Sequence, residues 1–240
     1  MNNKVYNDAF HQDRDKTTKY AANQILNIVM RYFDVNSVVD VGCGVGTWLK
    51  TAKKIQSNTK ILGIDGDYVN RASLKIDNYF FYAFNLEEPI KLADRFDLAI
   101  SLEVAEHLTQ KRARGFVEDL CGLSELVLFS AATKMQGGCG HVNEQRLSYW
   151  ISLFDKMDYD MLDIIRPEIW NDKKIPVWYR NNTVVFVKRG THNIKVSAKN
   201  KEVYDIIHPD LYESKMNRYE KLKRNPIVRF VLWIENIFKK

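Results

Sequence analysis

The sequence has few cysteines and no long apolar run. Among its 240 residues are three cysteines, Cys43, Cys121 and Cys139, an odd number that contains no CxxC pair. This spacing excludes a disulfide framework and a zinc ribbon, and it favours a reducing, cytosolic compartment. No stretch reaches the roughly 18 to 20 apolar residues that a membrane-spanning helix needs. The polar residues 1–20 are not expected to form a signal peptide.

Positive charge is concentrated at the C-terminal end. The net charge is +6, and residues 189–240 carry 12 Lys and Arg against 6 Asp and Glu. Residues 1–188 carry 24 of each sign and are neutral. A nucleic-acid-binding protein usually presents a basic groove in its main domain, so nucleic acid is not the expected partner.

Short apolar runs alternate with helical patterns along the chain. This alternation predicts βαβ units and an α/β fold with a mostly parallel sheet. The predicted strands are 37–41, 60–64, 79–84, 96–101, 125–130, 161–165 and 183–188. The predicted helices are 17–33, 47–55, 111–123 and 143–154.

Three parts are predicted, an N-terminal lid and helix at 1–34, a central domain at 35–190 and a basic helical extension at 191–240. The segment 6–19 is read either as a lid over a ligand or as a surface arm. The apolar segment Ile227–Ile234 is too short to span a bilayer. It either docks on the domain or a second subunit, or lies on an anionic membrane. The predicted location is therefore cytoplasmic, with peripheral contact at the inner membrane face and a homo-oligomer as open alternatives.

A glycine-rich turn follows the first predicted strand. Asp40 precedes Gly42-x-Gly44-x-Gly46, and a helical pattern begins at Thr47. Glycines allow a tight turn and close approach of a ligand at the carboxyl end of a strand. The dinucleotide fingerprint GxGxxG needs its third glycine where this chain has Thr47, which disfavours a dehydrogenase.

Two polar residues follow the next two strands. Asp65, at the tip of the second strand, is placed to accept hydrogen bonds from ribose hydroxyls, and Asn85 follows the third. Together with the glycine-rich turn, this arrangement resembles the class I S-adenosylmethionine (SAM)-dependent methyltransferases over roughly 35–190. The resemblance implies a Rossmann-like sheet of seven strands with helices on both faces, an antiparallel last strand and SAM as cofactor. The residues assigned to cofactor binding are Asp40, Gly42, Gly44, Gly46, Asp65, Asn85 and Glu103.

A cluster of acids and a histidine follows the fourth strand. If Glu103 begins a helical turn, Glu106 and His107 lie on its face at i+3 and i+4. One interpretation is a divalent-metal site with mixed oxygen and nitrogen ligands. The other is general acid–base chemistry on a hydroxyl group by His107 or by a later histidine, His141.

His141 follows the glycine-rich loop 137–140, which is predicted to fold over a bound substrate. The pattern Glu103-x-x-Glu106-His107 with a later His141 is similar to the metal site of the small-RNA 2′-O-methyltransferases. That resemblance implies that all four residues bind Mn or Mg. In this chain the second histidine follows sooner than in that family.

Most of the chain also resembles bacterial methyltransferases found with surface-polysaccharide synthesis, through the segments 141–145, 148–150, 166–170 and 178–182. The predicted function is SAM-dependent O-methylation of a small sugar- or phosphate-containing, nucleotide-linked precursor, with or without a metal. The alternatives are RNA 2′-O-methylation and a non-catalytic SAM-binding scaffold of a capsule-assembly complex. The Arg180-Asn181-Asn182 run is read either as a phosphate or sugar contact or as a solvated turn.

Overall fold

The computed structural model describes residues 8–191 and 204–226, with side chains described from residue 16 onward. Seven α-helices occur in these ranges: α1 Asp8–Tyr32, α2 Thr47–Ile55, α3 Ala113–Leu123, α4 Leu147–Asp155, α5 Arg166–Ile169, α6 Val177–Asn182 and α7 Pro209–Lys223. The strands are β1 Ser37–Val41, β2 Lys60–Asp65, β3 Phe81–Ala83, β4 Leu98–Leu102, β5 Leu126–Ser130, β6 Tyr159–Leu162 and β7 Val184–Lys188.

The seven strands form one sheet in the order β3-β2-β1-β4-β5-β7-β6. The first five run parallel, whereas β7 is antiparallel to both β5 and β6. Strand order reverses between β1 and β4, and in open α/β sheets ligands bind in the crevice beyond the carboxyl ends of strands at such a point. The predicted seven-stranded α/β fold is confirmed.

The sheet is buried on both faces because successive side chains of a strand point to opposite sides. In β1, Val38 packs in the core layer that includes α1 and α2, and Val39 packs in the layer that includes α3 and α4. In β5, Leu128 and Phe129 alternate in the same way. This two-sided burial explains the near-continuous apolar runs and holds the strand ends that carry the site in fixed positions.

The element boundaries differ from the prediction in several places. Helix α4 begins at Leu147, four residues later than predicted, and α1 begins well before residue 17. Strand β6 covers Tyr159–Leu162 instead of 161–165. Asp160 is half-exposed on this edge strand and accepts a hydrogen bond from Arg189, so a polar residue is tolerated within it.

The chain after residue 203 returns to the domain. His208 is buried and caps α7 by accepting a hydrogen bond from the backbone of Asp210. Leu211 is buried, and Asp210 forms an ion pair with Arg180 at 2.8 Å. The start of α7 is thus docked on α6.

Across residues 8–191 and 204–226, no helix combines the length and apolar character needed to cross a membrane. The predicted apolar segment Ile227–Ile234 and the first seven residues lie outside the described residues.

Candidate active site

The turn after β1 brings the backbone close to the side chain of Val104. Gly42 has φ 86°, and a Cβ at this position would lie 2.3 Å from Cγ2 of Val104. Gly44 has φ 52°, and an added Cβ there would meet no atom within 4 Å. Gly42 is therefore needed for close packing, whereas Gly44 leaves open space at the floor of a cleft. Gly46, with φ 79°, precedes the first residue of α2.

Asp65 lies at the carboxyl end of β2, where it was predicted, and it is buried. Its Oδ2 accepts a hydrogen bond of 2.6 Å from the backbone of Gly44, and its Oδ1 accepts one of 2.7 Å from the backbone of Gly66. The hydroxyl of Tyr68 donates to the same Oδ1 at 2.5 Å. These bonds join the second strand to the glycine turn. Tyr68 occupies an acceptor position that a ribose hydroxyl would use.

A cleft of about 910 Å³ opens between these strand ends. This volume lies within the range typical of small-molecule sites. Asn85 lines the cleft, but its side-chain oxygen accepts a hydrogen bond from the backbone of Glu87. The amide nitrogen is left for a contact with a base edge.

A second cleft of about 340 Å³ shares Gly42, Gly44 and Glu103 with the first. Asp40 lines it and is almost fully buried, and its Oδ2 has no hydrogen-bond partner among the described residues. Burial, with a smaller contribution from the charge of Asp65, raises the pKa of Asp40 well above its ordinary value. A buried acceptor without a donor is typical of a site that binds a ligand.

Glu103 stands where the two clefts meet, and it does not begin a helical turn. Its φ is 57°, and the short 3₁₀ turn that follows covers Ala105–His107. Asn182 donates to its Oε1 and Gln136 donates to its Oε2, each at 3.1 Å. Burial raises the pKa of the Glu103 carboxyl, and these hydrogen bonds act in the opposite direction.

Beside Glu103, three predicted metal ligands converge. One ligand atom each of Glu106, His107 and His141 can be chosen so that all three lie within 4.8 Å of one another. The Glu103 carboxylate is not part of this group and is held instead by the two amides. Neither oxygen of Glu106 makes a well-formed hydrogen bond among the described residues. Burial, and secondly repulsion from Glu103, raise the pKa of Glu106 to about 9.

Each histidine has one ring nitrogen engaged. Nδ1 of His141 lies 2.8 Å from a Glu144 oxygen that also accepts from the backbone of Gly137. Nδ1 of His107 lies 3.3 Å from the carbonyl oxygen of Gly140. Since both partners are acceptors, Nδ1 carries the proton and Nε2 has a free lone pair in each neutral ring. Burial, and then the neighbouring His141, lower the pKa of His107.

The other segments that the sequence analysis singled out are divided between the protein interior and the second cleft. Arg180 is buried and donates to the carbonyls of Ile175 and Trp170, so the interpretation of 180–182 as a solvated turn is wrong. Trp150 is in the core, whereas Trp178 lines the second cleft. In the predicted lid, Thr18 also lines that cleft.

Sequence reasoning missed Gln136, Glu144 and Asn182 as residues that hold site side chains. For Glu144 a signal was present, because it stands three residues after His141. For Gln136 and Asn182 there was none, since they are 33 and 79 residues from Glu103 along the chain.

The comparisons with known proteins agree with the fold. The methyltransferase-domain family matches residues 12–159, which is more than half of the chain. The chain therefore belongs to this family, and its sheet is that of the class I SAM-dependent methyltransferases. No match was found among curated proteins.

Solved structures show the same fold at low sequence identity. DesVI of Streptomyces venezuelae is 12% identical with a TM-score of 0.58, over 75% of this chain and 96% of that chain. The magnesium protoporphyrin IX methyltransferase ChlM from Synechocystis PCC 6803, with bound SAM, is 14% identical with a TM-score of 0.54, over 77% and 86%. The methyltransferase domain of bacterial CtHen1-C is 20% identical with a TM-score of 0.50, over 74% and 98%. The chain spans 58% of TnmH and 57% of a Burkholderia thailandensis O-methyltransferase family protein, which also match.

Proposed function

We propose that this chain transfers a methyl group from SAM to an oxygen of a small sugar- or phosphate-containing precursor, one that is nucleotide-linked and enters a bacterial surface polysaccharide. The observation that carries the chemistry is the Glu106, His107 and His141 cluster next to the larger cleft. Both side-chain oxygens of Glu106 are buried there without well-formed hydrogen bonds.

The residues at the strand ends fit the cofactor. Gly44 leaves the backbone open, Asp65 offers a carboxylate at the cleft, and Asp40 has a buried acceptor facing the second cleft. SAM supplies an electrophilic methyl group on a positively charged sulfur. The protein's own task is to hold the acceptor oxygen in line and to remove its proton, and positioning of this kind supplies much of the rate.

His141 is the proposed base. Glu144 fixes the Nδ1–H tautomer, which leaves the lone pair of Nε2 to accept a hydroxyl proton. Buried Glu106 and exposed His107 lie beside it. A histidine oriented by a carboxylate is the usual arrangement for a general base that works near neutral pH.

The cluster also fits a divalent cation such as Mn or Mg. Histidines that bind metals generally donate their second N–H to a carboxylate or a backbone carbonyl. His141 does so to Glu144, and His107 does so to Gly140. A cation held by Glu106, His107 and His141, with Glu103 adjacent, would lower the pKa of a hydroxyl group.

The acceptor class rests on sequence resemblance and on charge. Residues 1–188 are neutral, which favours a small acceptor over RNA. Peripheral membrane contact through the C-terminal end, a homo-oligomer and the cytoplasmic location remain proposals. A scaffold role is disfavoured by the oriented histidine.

The test is transfer of labelled methyl from SAM into the nucleotide-linked, lipid and RNA fractions of a bacterial lysate, with and without EDTA. Label in nucleotide-linked small molecules that EDTA abolishes is the expected result. Label in RNA or lipid would overturn the acceptor class. Label that is unaffected by EDTA would remove the metal and leave His141 as the base.

A further inference from the structure

A continuous chain of hydrogen bonds links the start of α7 to the site. The backbone N–H of His208 donates to Oδ1 of Asn181 at 2.6 Å, and Nδ2 of Asn181 donates to Oδ1 of Asn182 at 2.6 Å. Asn182 then donates to Glu103 and, at 2.9 Å, to the side-chain oxygen of Gln136. Gln136 donates to the other oxygen of Glu103. The side chains of Asn181, Asn182 and Gln136 are buried, and that of Glu103 is partly buried.

The direction of this chain is fixed from both ends. A backbone N–H only donates, so the oxygen of Asn181 must face His208 and its nitrogen must face Asn182. A carboxylate only accepts, so both Asn182 and Gln136 must turn their nitrogens toward Glu103. Reversal of either asparagine amide would place two oxygens against each other. The two constraints agree, so the network has one consistent arrangement.

The network also holds the loop that carries His141. Gln136 stands in the loop between β5 and His141, and its oxygen accepts from the backbone of Thr133 as well as from Asn182. Glu103 has a positive φ, a conformation that needs support from its surroundings. Its position at the junction of the two clefts therefore depends on groups from α6, from this loop and, indirectly, from α7.

We propose that Asn182 is a positioning residue which, with Gln136, holds the Glu103 carboxylate where the two clefts meet. The segment at His208 fixes Asn182 through Asn181, so residues 204–211 complete the site although they line neither cleft. This inference rests on the proposed function only in so far as Glu103 contacts the cofactor.

The first experiment measures S-adenosylhomocysteine (SAH) affinity by calorimetry on the full chain. Asn181→Asp keeps the acceptor for His208 but removes the donor to Asn182, and Asn182→Ala removes the next link. Each is expected to weaken SAH binding at least tenfold. The double variant is expected to bind no more than twofold more weakly than Asn182→Ala, because both changes break one chain. Asn217→Asp on exposed α7 is the matched control and stays within twofold of the unmodified protein.

A double variant that exchanges the hydrogen-bond donor and acceptor between positions 103 and 182 separates positioning from folding. Asn182→Asp alone places two carboxylates together and lowers the melting temperature. In Glu103→Gln with Asn182→Asp the donor and acceptor of this one contact are exchanged, so the melting temperature recovers in part while SAH affinity stays at least tenfold reduced. Recovery is partial because the oxygen of Gln136 would still face an oxygen at position 182. If single variants bind SAH within twofold of the unmodified protein, the positioning role is wrong.

Hydrogen exchange measures, without a cofactor, whether Asn182 couples the loop at 133–140 to the segment at 204–211. Asn182→Ala is expected to speed backbone exchange in both 133–140 and 204–211, whereas Asn217→Asp changes neither. Gln136→Met, in a loop, provides a second variant with the same expectation. Unchanged exchange in both segments would overturn the coupling. Failure of the unmodified protein to bind SAH would instead overturn the proposed function.

Discussion

The imidazole rings of His107 and His141 meet edge to face with their centroids 4.8 Å apart, beside the carboxyl of Glu106. Burial, and then the neighbouring His141, lower the pKa of His107, so the neutral form of the His107 ring is favoured. Neutral rings with Nδ1 bonded are suited either to accept a proton or to bind a cation at Nε2. Variants at this cluster distinguish which of these groups accepts the proton or binds the cation.

His141→Ala is expected to reduce methyl transfer at least 100-fold while SAH affinity stays within threefold. General-base catalysis contributes about 10² to 10⁴ in rate, and His141 lines neither of the two clefts. The measurements are labelled-methyl incorporation and calorimetry. Retention of full transfer by this variant would remove His141 from the mechanism.

Gly138→Ala is expected to impair transfer through displacement of His141. A Cβ at position 138 would lie 2.2 Å from Nε2 of His141, and the backbone there has no left-handed φ, so the ring must move. A shift of about 1 Å costs on the order of 100-fold in rate. Gly122→Ala is the control, because its Cβ would meet nothing within 4 Å on the exposed face of α3. That variant should be about 0.5–1 kcal/mol more stable and fully active.

Asp65→Ala is expected to raise the SAH dissociation constant about 100-fold. Two hydrogen bonds to a carboxylate are lost, each worth roughly 1.5–3 kcal/mol, and the turn loses its tie to Gly44. Calorimetric titration with SAH measures the change.

Tyr68→Phe is expected to leave SAH affinity unchanged or to increase it a few fold. It removes the hydroxyl that competes for Asp65 and keeps the ring. Weaker binding by this variant would show that Tyr68 contacts the ligand.

Local patterns predicted the parts of the site that lie within one turn of a strand end. The glycine turn after β1 and Asp65 after β2 follow from short-range sequence, and both lie where the sequence placed them. The environment of Glu103 could not be predicted from short-range sequence, because Gln136 and Asn182 reach it only after the sheet has formed. The left-handed backbone at Glu103 also could not be predicted, because position 103 holds neither glycine nor asparagine.

The edge of the sheet was predicted less accurately than its centre. The central strand β1 was predicted to the residue because it is buried on both faces and is near-continuously apolar, with Asp40 buried within it. Strand β6 includes exposed Asp160 and was predicted two residues late. A polar side chain on an edge strand breaks the apolar pattern without breaking the pairing, here with β7.

The stability of the protein without bound metal is expected to fall with rising pH, because of Glu106. Its pKa is raised from 4.5 to about 9 in the folded protein, so between these values the folded state keeps a proton that the unfolded state has lost. Stability therefore decreases as pH rises through this window, by up to about 1.4 kcal/mol per pH unit for one proton.

Urea unfolding between pH 6 and 8 checks this prediction with Glu106→Gln, which carries no ionisable group at the site. The variant should show a shallower decline than the unmodified protein, whereas the exposed control Glu213→Gln should not. Mn²⁺ should stabilise the unmodified protein and release about one proton per ion at pH 7.5, since the cation replaces the proton on Glu106. Equal pH slopes for Glu106→Gln and the unmodified protein would mean that Glu106 holds no extra proton in this pH range, and the prediction would be wrong.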